Sequence, residues 1–461
     1  MSVSRASSGY RPGLAAVLSL TLMGALWLAG GASRGDEAGQ IIVRATATIV
    51  LIVAALVGPR PRLAAIRPVL LLLGAILALV ALHLVPLPPG VWQALPGRGI
   101  LTQAIQGATA QPWRPLAIVP GAAVNALGSL IVPVAVVALF SIASPDDRQY
   151  LPAALLAMIV AAALLGLLQF IGAGFDNPLI NETVGMVGGN FANRNHFALF
   201  LAVGLLLVPG WVFNGRGAPM WRIAAGGGLM LLLALVTLAT GSRAGLGLAA
   251  IAVVIGLAAG YGGLRRAARR MPRWLLPAAL AGFVALLAAA ILASVAANRA
   301  SAIDRLFAVD IGQDMRGRGR PVVLDMIREY LPVGSGVGGF DPIFRMHEPF
   351  ELLKLTYFNH AHNDFLEIAL DTGLPGLLLL AAAVVWWGVA SIKVWRVKPS
   401  FDVTLGRIGS GMLLLVLAAS AFDYPARTPM IMAVIVIGAA LLSTSASALG
   451  RSALPADARH L

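Results

Sequence analysis

Apolar runs long enough to cross a lipid bilayer recur along nearly the whole chain, and they restrict its fold more than any other feature. As α-helices, runs of about 17–25 residues span a hydrocarbon core of ~30 Å. Only 12% of the 461 residues are charged and 59% are hydrophobic, whereas a soluble domain is about 25% charged. The shorter alternating segments of a membrane β-barrel are missing from the sequence. The chain is therefore predicted to be an all-α, multi-pass membrane protein.

Hydropathy predicts about twelve transmembrane helices and one large loop between the ninth and the tenth. The predicted spans lie near residues 13–31, 41–58, 69–86, 122–143, 151–173, 195–213, 223–241, 244–262, 275–297, 374–394, 408–422 and 428–447. Three parts follow from this division. Residues 1–297 hold helices 1–9, residues 298–373 form the loop, and residues 374–461 hold helices 10–12 and a tail.

Lysine and arginine residues predict the orientation of these helices. Starting from a cytoplasmic N-terminus, basic residues collect in alternate loops, which is the positive-inside pattern. The predicted inside residues are Arg60, Arg62, Arg67, Arg148, Arg216, Arg222, Arg265, Arg266, Arg269, Arg270, Arg273, Lys393, Arg396, Lys398, Arg407, Arg451 and Arg459. Both termini are then cytoplasmic and the large loop faces outward. This placement accounts for the net charge of +14, so no nucleic-acid partner is predicted.

The outward segment between Asn298 and Gly373 concentrates the titratable residues. It holds eleven of the twenty acidic residues and three of the six histidines. Ionisable groups are costly beside a bilayer and tend to mark a functional site. The chain has no cysteine, which excludes disulfides, thiolate metal ligands and cysteine nucleophiles. Any chemistry is therefore expected to rest on histidine, carboxylate and arginine side chains of the outer face.

Two histidines, His360 and His362, precede a short predicted helix at the end of this segment. A His-x-His pair can bind zinc, but no third ligand follows at a characteristic spacing, and no metal is predicted. A neutral imidazole with a pKa near 6.5 is better suited to general-base catalysis.

The run HNDFLEIALDTGLPGLLL, which begins at His362, resembles the signature of the O-antigen ligase and polymerase family. Four further motifs of that family occur in the matching order: GNFANRNHFALFLA, TGSRAG, RGRGRPVVLDMIREYLPVGSGVGGF and DYPARTP. The similarity extends from about Trp113 to Ile437.

This resemblance implies an enzyme of the bacterial inner membrane with its active site on the periplasmic face. Members move a glycan from a polyprenyl-pyrophosphate (undecaprenyl-pyrophosphate) carrier to an acceptor sugar hydroxyl, without a metal or cofactor. Matched residue by residue, the family's functional group corresponds to Arg243, an arginine of the cluster 316–320, and His362. Members of the family usually have one arginine about ten residues before the position of Met326, and this resemblance favours Arg316 over Arg318 and Arg320.

The chemistry of these residue types agrees with those roles. Guanidinium groups bind phosphate oxygens through two hydrogen bonds and stay charged near lipid, so Arg243 and Arg316 are predicted to stabilise the pyrophosphate. His362 is predicted to be the base. The predicted substrate-binding residues are Arg320, Arg318, Arg194, Asn363 and Asp364. Two alternatives stay open: Arg243 as a helix-end residue that extends to the interface, and residues 316–320 as a solvated loop face.

The predicted function is ligation of O-antigen to the lipid A–core acceptor of lipopolysaccharide. The alternatives are a polymerase that extends a growing glycan, a protein O-oligosaccharyltransferase and a solute transporter. A transporter places charges at the bilayer midplane on broken helices, whereas the polar motifs here lie at outer helix ends. Arg44 and His83 are the exceptions, and both are interpreted as lying near helix ends or packed against neighbours.

Overall fold

A computed structural model describes residues 12–32, 34–104, 111–173, 177–180, 185–213, 219–269, 315–353 and 358–452, with isolated positions between 272 and 292. The described helices are α1 (Leu14–Ala29), α2 (Ala38–Val57), α3 (Arg67–Leu82), α4 (Pro89–Gln93), α5 (Gly99–Ala104), α6 (Pro120–Ser129), α7 (Ile131–Ile142), α8 (Pro145–Phe170), α9 (Arg194–Phe213), α10 (Met220–Ala239), α11 (Arg243–Ala268), α12 (Met315–Tyr330), α13 (Phe340–His347), α14 (Asp364–Trp395), α15 (Phe401–Ser420) and α16 (Pro429–Ser452). Strands β1 (Pro86–Leu87) and β2 (Arg114–Pro115) form one short antiparallel pair. The all-α prediction is confirmed.

Ten helical segments of the described chain are long and apolar enough to cross a membrane, and α1 is a shorter apolar helix beside them. These eleven segments correspond to eleven of the predicted spans. The remaining one, near residues 275–297, falls almost wholly outside the described residues, as does the start of the predicted loop at 298–314. The polytopic membrane architecture is therefore confirmed.

Helices α9, α15 and α16 form the centre of the bundle. Most of the residues in each are buried inside the protein, whereas few residues of α2, α3 and α14 are buried. Helix α9 packs against α8, α10, α11 and α15. Small residues allow close approach between helices, as they commonly do in membranes: a Cβ added at Gly409 of α15 would collide with the carbonyl oxygen of Gly438 in α16.

The loops of the described chain lie at two opposite ends of the bundle. At one end, the N–H of Arg62 donates to the carbonyl of Ser141 (2.9 Å), and Ser443 Oγ donates to the carbonyl of Ala65 (2.7 Å). A capping box formed by the Ser144 hydroxyl starts α8 at this end, which satisfies N–H groups of the first turn. The polar motifs predicted to face outward meet at the opposite end.

Helices α12 and α13 form a layer over that opposite end. Their apolar side chains, among them Met326, Tyr330 and Phe344, pack with Leu370 of α14 in a separate hydrophobic cluster. Glycines at 334, 336 and 338 have positive φ and turn the chain around α14.

The short helix predicted after His362 is interrupted at Gly373, whose backbone is non-helical (φ 58°, ψ −145°). Two helical segments meet at this kink and together make up α14. A side chain there would collide with the carbonyl oxygen of Pro332. The glycine therefore separates the short outer helical segment from the span that follows, at the point where the outer layer packs on it.

Candidate active site

The N-termini of α9, α11 and α14 meet the link between α15 and α16 at the outer end of the bundle. Asp423, in that link, is 3% exposed and receives hydrogen bonds from several directions. Its Oδ2 accepts from Asn195 Nδ2 (2.6 Å) and Asn193 Nδ2 (3.1 Å), and its Oδ1 accepts from the N–H of Tyr424 (3.0 Å). A buried carboxylate needs such partners to stay ionised, so this network fixes Asp423 as an anion.

His362 pairs with this carboxylate. Its Nδ1 lies 3.2 Å from Asp423 Oδ1, and an ionised acceptor assigns the proton to Nδ1. The other nitrogen, Nε2, is then the basic one. The backbone of His362 has a φ of 49°, an uncommon conformation for a residue with a side chain, and such conformations concentrate at functional sites. His362 is thus held in one orientation, with Nε2 free of the proton.

The electrostatic surroundings keep His362 neutral. Burial lowers the pKa of His362 from its usual value, and the charge of Arg316 lowers it further, while the hydrogen bond to Asp423 opposes both. Burial alone would raise the pKa of Asp423, but interactions with His196, His362 and Arg316 hold it well below its usual range. Burial lowers the pKa of His362 more than the charge of Arg316 does.

Arg316 is the predicted cation that reaches this pair. Its Nη2 lies 3.4 Å from Asp423 Oδ2, with 39% of the side chain exposed, and its Nη1 donates to the carbonyl of Phe422 (3.3 Å). A ligand at the surface can therefore still reach the guanidinium. The structure brings His362 and Arg316 together on one carboxylate.

Arg243 and Arg194 begin two of the helices that point at this site. Ser242, which caps α11, donates from Oγ to Asn195 Oδ1 (2.8 Å), so Arg243 stands one residue from the Asp423 network and is exposed. Arg194 opens α9 and is partly buried. Helix N-termini favour anions, and arginines placed on them add to that preference.

The other predicted contacts have different surroundings. Arg318 Nη2 donates to the carbonyl of Glu351 (2.8 Å), away from Asp423, and Arg320 is exposed on α12. Asn363 caps α14 by accepting from the N–H of Leu366 (3.0 Å). Asp364 is buried and accepts from Ser420 Oγ (2.8 Å). These bonds give Asn363 and Asp364 structural roles, and substrate contacts by all four stay predictions.

A second ionic cluster lies beneath the first. Arg427 Nε is 3.1 Å from Glu367 Oε1, and its Nη2 is 3.2 Å from Asp371 Oδ2. Glu367 also pairs with His360 at 2.7 Å. Burial alone would lower the pKa of Arg427, but these carboxylates raise it above its ordinary value. The cluster ties the first turns of α14 to the link before α16.

The ring of Tyr424 separates the two clusters. Its centroid lies 4.1 Å from that of His360 and 5.0 Å from that of His362, with His196 also at 5.0 Å. The two histidines of the motif therefore face different surroundings: His362 belongs to the Asp423 pair and His360 to the Arg427 cluster. Within the described residues, no group of three or more histidine or carboxylate side chains is arranged to hold a metal ion.

Sequence reasoning did not identify Asp423 as the partner of His362. The motif DYPARTP drew attention to this stretch without assigning a role to its acid. An acidic residue directly after an apolar span was the available signal, because such a group persists only where partners offset the cost of its burial.

Comparison with known proteins agrees with the motifs. Residues 228–381 match a family model described as O-antigen ligase. This segment is similar to the O-antigen ligase family. It includes Arg243, Arg316 and His362, so the predicted resemblance is confirmed where those residues lie. The chain is also 28% identical over 276 residues to the exopolysaccharide production protein ExoQ of Rhizobium meliloti (strain 1021), a match covering 58% of this chain and 60% of that relative.

Proposed function

We propose that this chain is a glycosyltransferase that moves a glycan from a polyprenyl-pyrophosphate carrier to a hydroxyl of an acceptor sugar. The observation that carries the proposal is the His362–Asp423 pair with Arg316 beside it. A neutral base and a fixed cation on one buried carboxylate are the two groups that this reaction needs. The O-antigen ligase family of residues 228–381 supports the same reaction class.

In the proposed reaction, His362 Nε2 accepts the proton of the acceptor hydroxyl as its oxygen bonds to the anomeric carbon of the donor sugar. The bond from that carbon to the pyrophosphate oxygen breaks, and the pyrophosphate leaves with the electron pair. Arg316 and Arg243 stabilise the negative charge that develops on it, as positioned cations do at other sites of charge development. Direct displacement inverts the anomeric centre. No metal or cofactor takes part in this scheme.

Two acceptors are candidates for this reaction. The family description favours lipid A–core, and thus ligation of O-antigen to lipopolysaccharide. The name of the Rhizobium relative favours a growing exopolysaccharide chain, and thus polymerisation. Purified protein, an undecaprenyl-pyrophosphate-linked repeat unit and each acceptor in turn distinguish the two by product length. No transfer to either acceptor would reject the proposal, and loss of transfer in EDTA with recovery in zinc would reject the metal-free mechanism.

We further propose that the active site faces the periplasm across a bacterial inner membrane, with residues 298–373 as the loop that carries the base between the membrane parts 1–297 and 374–461. The distribution of lysine and arginine supports this orientation. Single cysteines at Arg265 and Arg328 of the cysteine-free chain test it. An impermeant thiol reagent added outside is expected to label position 328 and spare 265, and the reverse pattern would overturn the orientation.

A further inference from the structure

A cavity of about 590 Å³ lies on the His360 side of Tyr424, between α2, α3, α6 and α14. His360 and Arg427 line its upper part, whereas apolar side chains of α3 and α14, among them Ile76 and Leu379, line its lower part. None of the residues His362, Arg316 and Arg243 lines it. The cavity is therefore a separate space that adjoins the candidate active site and continues along the apolar length of α14.

Arg44 supplies this cavity with a cation inside a membrane span. It stands in α2, within a segment apolar enough to cross the bilayer, and lines the cavity. Its guanidinium reaches α6, where a Cβ added at Gly128 would lie 3.4 Å from Nη1. Its Nε is buried without a hydrogen-bond partner in the described part of the chain. An intramembrane arginine is costly unless it has a partner, and no carboxylate among the described residues forms an ion pair with Arg44.

The acidic side chains of the cavity are already engaged by other cations. The pairs are Asp36 with Arg34, Asp341 with Arg345 at 2.8 Å, and Asp371 with Arg427 at 3.2 Å. Among the carboxylates that line the described cavity, none forms an ion pair with Arg44. Asn125 and Ser129 of α6 line the same wall and add neutral hydrogen-bonding groups. The charge balance around Arg44 therefore favours an anionic ligand.

We propose that the cavity binds the lipid-linked acceptor, with its phosphate at Arg44 and the first isoprene units of a single polyprenyl chain along Ile76 of α3 and Leu379 of α14. This inference rests on the proposed function, because it assigns the second substrate of the same reaction. A volume of this size admits one drug-sized molecule, which suits one chain better than the several acyl chains of lipid A. The proposal thus favours a polymerase-type acceptor.

A photoreactive lipid tests the assignment without requiring turnover. The probe is a diazirine analogue of geranylgeranyl pyrophosphate, added to the purified full chain in detergent, with labelled peptides mapped by mass spectrometry. We expect labels on α3 and α14 around residues 72–80 and 376–383. Arg44→Gln is expected to reduce this labelling roughly 10- to 100-fold, as loss of a hydrogen bond between charged groups does, while Arg44→Lys retains part of it.

Control variants separate this site from the donor site and from misfolding. Arg60→Gln, an exposed arginine outside the cavity, is expected to label as the wild type does. His362→Ala is also expected to label normally, so a failure of the proposed catalysis leaves this result intact. Ala383→Trp fills the apolar part of the cavity and is expected to abolish labelling while Arg44 stays in place.

Competition of unlabelled compounds with the photoreactive probe identifies the class of ligand. Unlabelled undecaprenyl phosphate is expected to displace the probe, whereas free pyrophosphate, phosphatidylglycerol and lipid A are expected to displace it poorly. Equal displacement by phosphatidylglycerol would show an ordinary phospholipid site and overturn the proposal. Labels confined to α9 and α11, or unchanged labelling in Arg44→Gln, would also overturn it.

Discussion

Nδ1 of His362 lies 3.2 Å from Oδ1 of Asp423, a residue 61 positions further along the chain. The pair joins the start of α14 to the link between α15 and α16, so the tertiary fold sets the orientation of the imidazole. The carboxylate fixes which ring nitrogen carries the proton. The predictions below follow from this pair and from the charges around it.

Replacement of His362 by alanine removes the proposed base. General-base catalysis contributes typically about 10²–10⁴-fold, so His362→Ala is expected to lose roughly that much turnover while the donor still binds. His360→Ala is expected to cost far less, because His360 pairs with Glu367 on the other side of Tyr424. Turnover and donor binding, measured separately on purified protein, check this. Equal losses in both variants would contradict the assignment.

The pH dependence of glycan transfer tests the proposed effect of Asp423 on His362. The wild type needs neutral His362, whose pKa lies below its ordinary value because of burial, so transfer is expected to decline on the acid side below a pH of about 6.5. The hydrogen bond from His362 to Asp423 raises that pKa. Asp423→Asn is therefore expected to shift the acid limb to still lower pH, with a reduced maximum rate. An acid limb at the same pH in Asp423→Asn and in the wild type would show that His362 is not the titrating group.

Arg316 and Arg318 give a matched pair of cation variants. Arg316 lowers the pKa of His362, so Arg316→Ala is expected to move the acid limb to higher pH and to slow transfer. Arg318 bonds to the carbonyl of Glu351 and not to Asp423, so Arg318→Ala is expected to leave the limb in place. Transfer rates measured across pH on both variants test this. A shift of the acid limb in Arg318→Ala but not in Arg316→Ala would assign the role to Arg318.

Arg427 is expected to be essential for stability. Arg427→Met leaves Glu367 and Asp371 buried without their cation, and breaking a buried ion pair typically costs about 3–5 kcal/mol. A lower Tm in detergent is the expected result. Arg328→Met breaks an exposed pair with Asp325 and is expected to change Tm little. Similar Tm values for both variants would show that the Arg427 cluster contributes no net stability.

The local features of this protein were predictable from its sequence. The length and apolar content of each span identify the membrane helices without knowledge of their neighbours. The motif around His362 is likewise visible because it lies within one stretch of chain. Asp423 was not assigned as its partner, because that requires knowing that α14 and the α15–α16 link adjoin. Asp364 illustrates the same limit: its place in the motif does not reveal that the fold buries it against Ser420.

Arg44 and His83 show how packing changes the interpretation of isolated polar residues. His83 ends α3, and its Nδ1 accepts from the N–H of Val337 (3.3 Å), so it lies near a helix end and packs against a neighbour as expected. Arg44 instead faces a cavity whose walls include residues of α2, α3, α6 and α14. Hydropathy assigns both residues to early spans, but only the assembled bundle distinguishes them.

The partners of His362 come from beyond the segment that the family model matches. That segment covers residues 228–381, whereas Asp423 and the two asparagines that hold it, Asn193 and Asn195, lie outside it on either side. A truncated protein built on the matched boundaries would carry the histidine without its carboxylate. Fragments and chimaeras of this protein therefore need the flanking helices together with the matched segment, because the pair forms only in the assembled bundle.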